Sequence, residues 1–134
     1  MEQKNQIKIY TVGEDILKKK CRKVTKEEVL RGDMGSVVKT LSQALGEFRA
    51  QHGFGRAVAA PQVGFTVQAV GMNLGEVSYS FSRHQYSKSF EGYFTMFNPE
   101  ITQTSAEKFS MWDDCMSFPD KYVRVSRHVT VTVK

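Results

Sequence analysis

Cys115 is the residue whose surroundings most clearly suggest chemistry. It lies in the polar stretch Asp-Asp-Cys-Met-Ser-Phe-Pro, which spans residues 113–119. A thiolate is a nucleophile and a metal ligand, whereas a buried thiol packs as a small apolar side chain. A cysteine nucleophile needs a positioned base, and the spacing of this sequence identifies none. From these residues alone, a chemical role and a packed thiol both stay open.

The second candidate is a run of small residues, 53–64, that contains one polar amide, Gln62. The run reads Gly-Phe-Gly-Arg-Ala-Val-Ala-Ala-Pro-Gln-Val-Gly. So many small residues permit close approach of the backbone to a ligand, but they also suit a tight turn that leads into a strand. A phosphate loop and a dinucleotide fingerprint do not fit, because no Gly-Lys-Ser/Thr ending follows and the preceding element reads as helix.

A helix is predicted to precede this run and to position it. Apolar residues recur at three- and four-residue spacing from Asp33 to about Gln51, which is typical of one buried helical face. Asp33 is placed to cap the start of this helix, and Gly53, after His52, suits its stop in the left-handed conformation.

Strands are predicted from runs of β-branched and aromatic residues that are bounded by turn residues. These runs are 65–72, 93–97, 108–112 and 122–133, with a turn at 73–75 and an unassigned connection at 78–91. The last run alternates valines with polar residues, the period of a single strand. No helix follows it in this sequence, so we expect an exposed sheet face or edge, covered by a second copy or by a partner chain.

The length of the chain favours one globular domain, residues 1–134. We expect this domain to be cytoplasmic. Its 134 residues bury one core, and no apolar run resembles a membrane span or a secretory signal. Cys21 and Cys115 lie far apart in unlike surroundings, which fits a reducing compartment.

The net charge of +5 is concentrated in Lys18 to Lys26. We interpret that segment as a solvated face and expect no nucleic acid as a partner, because no aromatic residues are interleaved with the lysines. We expect no membrane partner either, because the apolar runs are too short to span one.

The small-residue run at 53–64 and the cysteine stretch at 113–119 both resemble signatures of the peptide deformylase family. Residues 59–64, Ala-Ala-Pro-Gln-Val-Gly, are similar to the first signature, which ends Ala-Ala-x-Gln. Residues 113–119 are similar to the second, Glu-Gly-Cys-Leu-Ser. Further likenesses at 12–17, 98–101 and 125–131 extend the resemblance along the whole chain.

The chain departs from the family pattern within both signatures. Gly55 stands at the first signature glycine, but Ala57 replaces the second and Arg56 occupies a position that is normally apolar. These three residues are the ones that the resemblance places against the peptide backbone of a substrate. Asp114 replaces the glycine before the cysteine and adds a charge there.

The resemblance implies metal-dependent hydrolysis of the formyl group from N-formylmethionyl peptides. Cys115 would be a metal ligand together with two histidines of an H-E-x-x-H helix, and the metal-bound water would attack the formyl carbon. The Gln62 amide and the backbone N–H of Met116 would stabilise the oxyanion.

The H-E-x-x-H signature does not occur in this sequence, and its histidines at 52, 84 and 128 have no ligand spacing. We therefore expect no cofactor on this chain alone, but iron, zinc or nickel if the missing histidines are supplied.

The resemblance predicts an α+β fold, with mostly antiparallel sheets around a helix, truncated before the metal-binding helix. The predicted function is that of a deformylase-like protein that is inactive alone and whose ligand is a formylated peptide. One alternative is a non-catalytic module that binds a peptide or a partner through the retained groove or the uncovered seat of that helix. A truncated remnant without activity is a third interpretation.

Overall fold

Two α-helices and seven strands lie in residues 5–74 and 92–134, the part of the chain that this computed structural model describes. The helices are α1 (Lys26–Leu30) and α2 (Gly35–His52). The strands are β1 (Ala57–Ala59), β2 (Ala69–Asn73), β3 (Tyr93–Phe97), β4 (Ile101–Thr104), β5 (Lys108–Cys115), β6 (Phe118–His128) and β7 (Val131–Val133). The connection predicted at 78–91 and the end of the turn predicted at 73–75 lie outside the described residues. None of the described helices is long and apolar enough to cross a bilayer.

The strands form three antiparallel groups. β1, β2 and β3 make a three-stranded sheet in that order, with Val58 opposite Gly71 and Gly71 opposite Thr95. β4 pairs with β7, and β5 pairs with β6, in two further two-stranded sheets. This mixture of helix and antiparallel sheet confirms the predicted α+β class.

Helix α2 packs against the three-stranded sheet and supplies much of the core. Its buried residues keep the predicted three-and-four spacing: Val37, Leu41, Ala44, Leu45 and Phe48. Leu41 is 0% exposed and faces Gly71 of β2. A Cβ added at Gly71 would lie 3.0 Å from the Leu41 Cβ, so the missing side chain permits this close approach of helix and strand. The predicted apolar stripe is therefore confirmed.

The prediction that Asp33 caps α2 is wrong, whereas the predicted stop is confirmed. The N-cap residue is Met34, and it makes no side-chain capping bond. The carboxylate of Asp33 instead accepts a 2.8 Å hydrogen bond from Arg31, with which it forms an exposed ion pair. At the other end Gly53 has a φ of 75°, and its N–H donates to the carbonyl of Arg49 at 2.9 Å.

Three of the four predicted strands have different bounds. The strand predicted at 65–72 begins only at Ala69, because the segment before it bonds elsewhere: the Gln68 N–H donates to the carbonyl of Arg22 at 2.8 Å. The strand predicted at 122–133 is divided into β6 and β7. It is interrupted at Val129, whose N–H donates to the carbonyl of Glu107 at 3.0 Å. The strand predicted at 93–97 is confirmed, and the one predicted at 108–112 continues to Cys115.

Asn98 joins the end of β3 to the segment before α1. Its side-chain oxygen accepts from the Val24 N–H at 2.8 Å, and its amide donates to the Val24 carbonyl at 2.7 Å. Its φ of 50° makes it the one non-glycine residue with a positive φ in the described chain. Asparagine tolerates this conformation better than most residues and also supplies both hydrogen-bonding groups.

Replacing Asn98 with alanine is expected to lower the free energy of unfolding by about 2–4 kcal/mol. The change removes two hydrogen bonds worth about 1 kcal/mol each and leaves an ordinary residue in the left-handed region, at about 1–2 kcal/mol. Urea denaturation measures the loss. Asn98→Gly relieves the backbone and should therefore lose less than Asn98→Ala. An unchanged midpoint for Asn98→Ala would contradict this role.

Candidate functional site

The fold brings Gln62 next to Cys115. Gln62 lies in a short 3-10 helix, Ala60–Val63, that follows β1, while Cys115 ends β5. The two residues are 53 positions apart, yet the Gln62 Nε2 is 3.9 Å from the Cys115 Sγ. The structure thus places the two strongest chemical candidates of the sequence side by side.

The Gln62 amide is held in one orientation by hydrogen bonds at both of its atoms. Its Oε1 accepts from the Ala59 N–H at 2.8 Å, and its Nε2 donates to the Ser117 Oγ at 2.9 Å. An amide nitrogen carries two hydrogens, and the long contact with Cys115 is one that a ligand oxygen could replace. The amide is therefore a fixed donor beside the cysteine sulfur.

Ser117 is a site residue that the sequence did not single out. The residue is only 5% exposed, and its hydroxyl donates to the Tyr10 carbonyl at 2.7 Å while it accepts from Gln62. Its own carbonyl accepts from the Val12 N–H at 3.2 Å. The one available signal was its place two residues after the cysteine. Ser117 ties Gln62, the cysteine turn and the N-terminal segment together.

Gly55 and Met116 pack against each other beneath the site. Gly55 has a φ of 120°, and a Cβ added there would lie 3.2 Å from Phe48 and 3.6 Å from the Met116 Sδ. Met116 is 3% exposed and belongs to the core. A larger residue at Gly55 would meet both the strained backbone and these neighbours. The predicted oxyanion role of Met116 concerns its backbone N–H and stays a prediction.

Ala57 begins β1, which forms an edge of the three-stranded sheet in the described chain. It is paired with Met72 of β2 on one side. An edge strand offers backbone donors and acceptors to which an extended peptide can add as a further strand. This geometry suits the substrate-binding position that was predicted for Ala57.

Arg56 reaches the stretch that precedes the cysteine. Its guanidinium donates to the Asp113 Oδ1 at 2.9 Å, and Arg127 of β6 donates to the Oδ2 of the same carboxylate at 2.9 Å. Partial burial raises the pKa of Asp113, but the bonds from Arg127 and the Asp114 N–H, with the nearby charge of Arg56, outweigh it. The pKa of Asp113 therefore lies below its usual range, and the carboxylate is ionised at neutral pH.

A divalent metal does not fit the described residues by themselves. Residues 5–74 and 92–134 contain no group of three or more His, Cys, Asp or Glu side chains that could hold one. The His52 ring stacks on Phe48 with 4.2 Å between centroids, and the His128 Nδ1 is 2.6 Å from the Ser105 carbonyl oxygen. His84 lies outside the described residues. Cys115 is exposed and contributes a single thiol, beside a cleft of about 260 Å³ that Phe118 and Val125 also line.

Comparison with known proteins identifies relatives along the whole described chain. The family model for polypeptide deformylase matches residues 6–134. A peptide deformylase of Natranaerobius thermophilus is 30% identical over 128 residues, which cover 95% of this chain and 67% of that protein. A peptide deformylase of Thermotoga neapolitana is 27% identical and is covered to 63%.

Solved structures give the same result. A class I type b peptide deformylase of Acinetobacter baumannii, with the ligand K2U bound, has a TM-score of 0.73 and 25% identity. The match covers 95% of this chain and 74% of that one. The same type of enzyme with Met-Ala-Ser bound has a TM-score of 0.67.

The chain spans about two thirds of the length of these sequence relatives. The match to the family model includes residues 53–64 and 113–119, and with them the Gln62 and Cys115 that the fold brings together. By sequence and by fold, this chain belongs to the peptide deformylase family.

Proposed function

We propose that this chain carries the peptide-binding and oxyanion-stabilising part of a peptide deformylase site. The observation that carries the proposal is the position of the Gln62 amide. Ala59 and Ser117 fix its orientation, and its Nε2 lies 3.9 Å from the Cys115 Sγ. Hydrolysis of a formyl group turns the planar carbonyl into a tetrahedral oxyanion. A preorganised N–H donor stabilises that oxyanion more than it stabilises the carbonyl, and this difference accelerates the reaction.

The proposed substrate is an N-formylmethionyl peptide that lies along the edge of β1. Support comes from the paired geometry of Ala57 and from the Acinetobacter baumannii relative that binds Met-Ala-Ser. An extended peptide would place its backbone against this edge and its formyl end toward Gln62 and Cys115. A larger residue at Gly55 would meet Phe48 and Met116, so it would disturb the packing beside this edge.

We further propose that the chain does not deformylate peptides without ligands from outside these residues. One thiol does not hold a catalytic metal in competition with water, and H-E-x-x-H does not occur in the sequence. Two histidines on an added segment would complete a Cys and two-His set for iron, zinc or nickel.

A deformylation assay tests this proposal directly. The chain is incubated with formyl-Met-Ala-Ser and iron, nickel or zinc, first alone and then with a synthetic or fused helix that carries H-E-x-x-H. We expect turnover only with the helix. Turnover by the chain alone would show that the missing ligands come from another source. A complex that binds both metal and peptide without releasing formate would refute the catalytic proposal.

The second candidate function, binding without catalysis, is favoured by the edge of β1, which pairs only with β2 among the described strands. It predicts that the peptide Met-Ala-Ser binds with and without the added helix and that formate never appears. The predicted cytoplasmic location and the predicted association with a second copy or a partner stay predictions. A light-scattering mass of one chain at micromolar concentration would contradict self-association.

A further inference from the structure

The β5–β6 hairpin, residues 108–128, pairs with no other described strand. Its two strands bond to each other from Lys108 opposite His128 to Cys115 opposite Phe118. A two-stranded hairpin alone is marginally stable in water. Both its order and the position of Cys115 at its end therefore depend on where the hairpin is attached to the rest of the protein.

The hairpin is attached at its turn. Met116 enters the core, and Ser117 bonds to Tyr10, Val12 and Gln62. These contacts hold the chain directly after Cys115, and the strand before the cysteine has a second attachment to the rest of the protein.

That second attachment is the ion pair between Arg56 and Asp113. The two residues are 57 positions apart, and their 2.9 Å bond joins the glycine-rich run to β5 two residues before the cysteine. The other partner of Asp113, Arg127, lies on β6, so that bond stays within the hairpin and orients the carboxylate. The Asp113 side chain is only 17% exposed, whereas that of Arg56 is 54% exposed.

We infer that Arg56 is a positioning residue that docks the hairpin and thereby sets the place of Cys115 beside Gln62. With Arg56 bound, the strand is held on both sides of Cys115: by Asp113 before it and by the Ser117 turn after it. Without Arg56, the described attachments are the turn and the far end of the hairpin, where it continues into β4 and β7. The strand next to Cys115 can then move between these two points. The consequence for catalysis rests on the function proposed above, but the docking itself does not.

Hydrogen exchange, measured without metal or substrate, tests the docking. The chain is compared with Arg56→Met, which keeps the apolar stem but loses the charge, and with Arg56→Lys, which keeps a charged donor. Arg31→Met is the matched control, because its partner Asp33 is two residues away and the pair joins no separate elements. Amides of β5 and β6 report the hairpin, and amides of α2 report the core.

We expect about two- to five-fold faster exchange in β5 and β6 of Arg56→Met, the range that fits a partly exposed ion pair. Exchange in α2 should stay unchanged, Arg56→Lys should recover part of the hairpin protection, and Arg31→Met should match the original chain. The sole tryptophan, Trp112, lies on β5, and its fluorescence anisotropy should fall in Arg56→Met but not in Arg31→Met.

Two results would overturn the inference: hairpin exchange in Arg56→Met that equals the Arg31→Met control, or exchange that rises equally in α2. In a complex that releases formate, Arg56→Met should lower kcat more than it raises KM, and Arg56→Lys should restore part of it. If no complex releases formate, the function proposed above fails, while the exchange measurement still decides the docking.

Discussion

Replacing Gln62 with alanine is expected to lower kcat for deformylation about 10²- to 10³-fold in a complex that carries the H-E-x-x-H helix. Loss of one preorganised oxyanion donor has an effect of this size. The side chain lies beside Cys115 and is fixed through Ala59 and Ser117, so neither water nor a neighbouring side chain reproduces its geometry. Steady-state kinetics with formyl-Met-Ala-Ser measure the change, and KM should move much less than kcat.

Three further variants distinguish the loss of the amide donor from a change in the fold. Gln62→Glu keeps an acceptor for the Ala59 N–H but loses the amide donor, so it should be as slow as Gln62→Ala. Ser117→Ala frees the amide and should slow turnover about ten-fold through misplacement of the donor. Gln43→Ala removes a hydrogen-bonded glutamine of α2, whose partner is Glu47, and should leave kcat unchanged. Full turnover by Gln62→Glu would refute the proposed role of the donor.

Replacing Leu41 with alanine is expected to lower the free energy of unfolding by about 2–5 kcal/mol. Leu41 is 0% exposed and lies where α2 meets Gly71 of β2. Because Gly71 has no side chain, helix and strand already lie close together there. The sheet therefore has little freedom to collapse into the cavity, and the upper half of the range is expected. Because domains are stable by only about 5–15 kcal/mol, this loss is a large share of the total.

Urea denaturation followed by circular dichroism gives the two values to compare. The matched control is Leu30→Ala at the end of α1, because Leu30 is 75% exposed. That variant should change stability by less than about 0.5 kcal/mol. Equal losses for Leu41→Ala and Leu30→Ala would mean that α2 is not seated on the sheet as described.

The elements that were predicted correctly are those that form through interactions between residues close together in the sequence. The apolar spacing of α2 and the glycine at its end are local signals, and so are the residues of β3. Asp33 failed as a cap because a second local partner, Arg31, competes for its carboxylate. The break at Val129 was not predicted, because the alternation of valines continues through it and does not reveal that β6 pairs with β5 whereas β7 pairs with β4.

The site was predicted in its residue types but not in its connections. The motifs marked Gln62 and Cys115, and their likeness to deformylase signatures placed both in one family site. Ser117 and Asp113 act through partners that are 55 and 57 positions away, and the sequence gives no sign of such pairings. Arg56 looked like a departure from the family pattern, whereas the fold gives it a specific carboxylate partner.

The role of Cys115 as a metal ligand is tested most directly by elemental analysis of the metal content of the chain combined with the H-E-x-x-H helix. Cys115→Ser is compared with Cys21→Ser, the other cysteine of the sequence, which lies outside the site. We expect one zinc or nickel per complex in the original chain and in Cys21→Ser, and little in Cys115→Ser. Equal metal in Cys115→Ser would contradict this role, because the thiolate beside Gln62 would then not be a ligand.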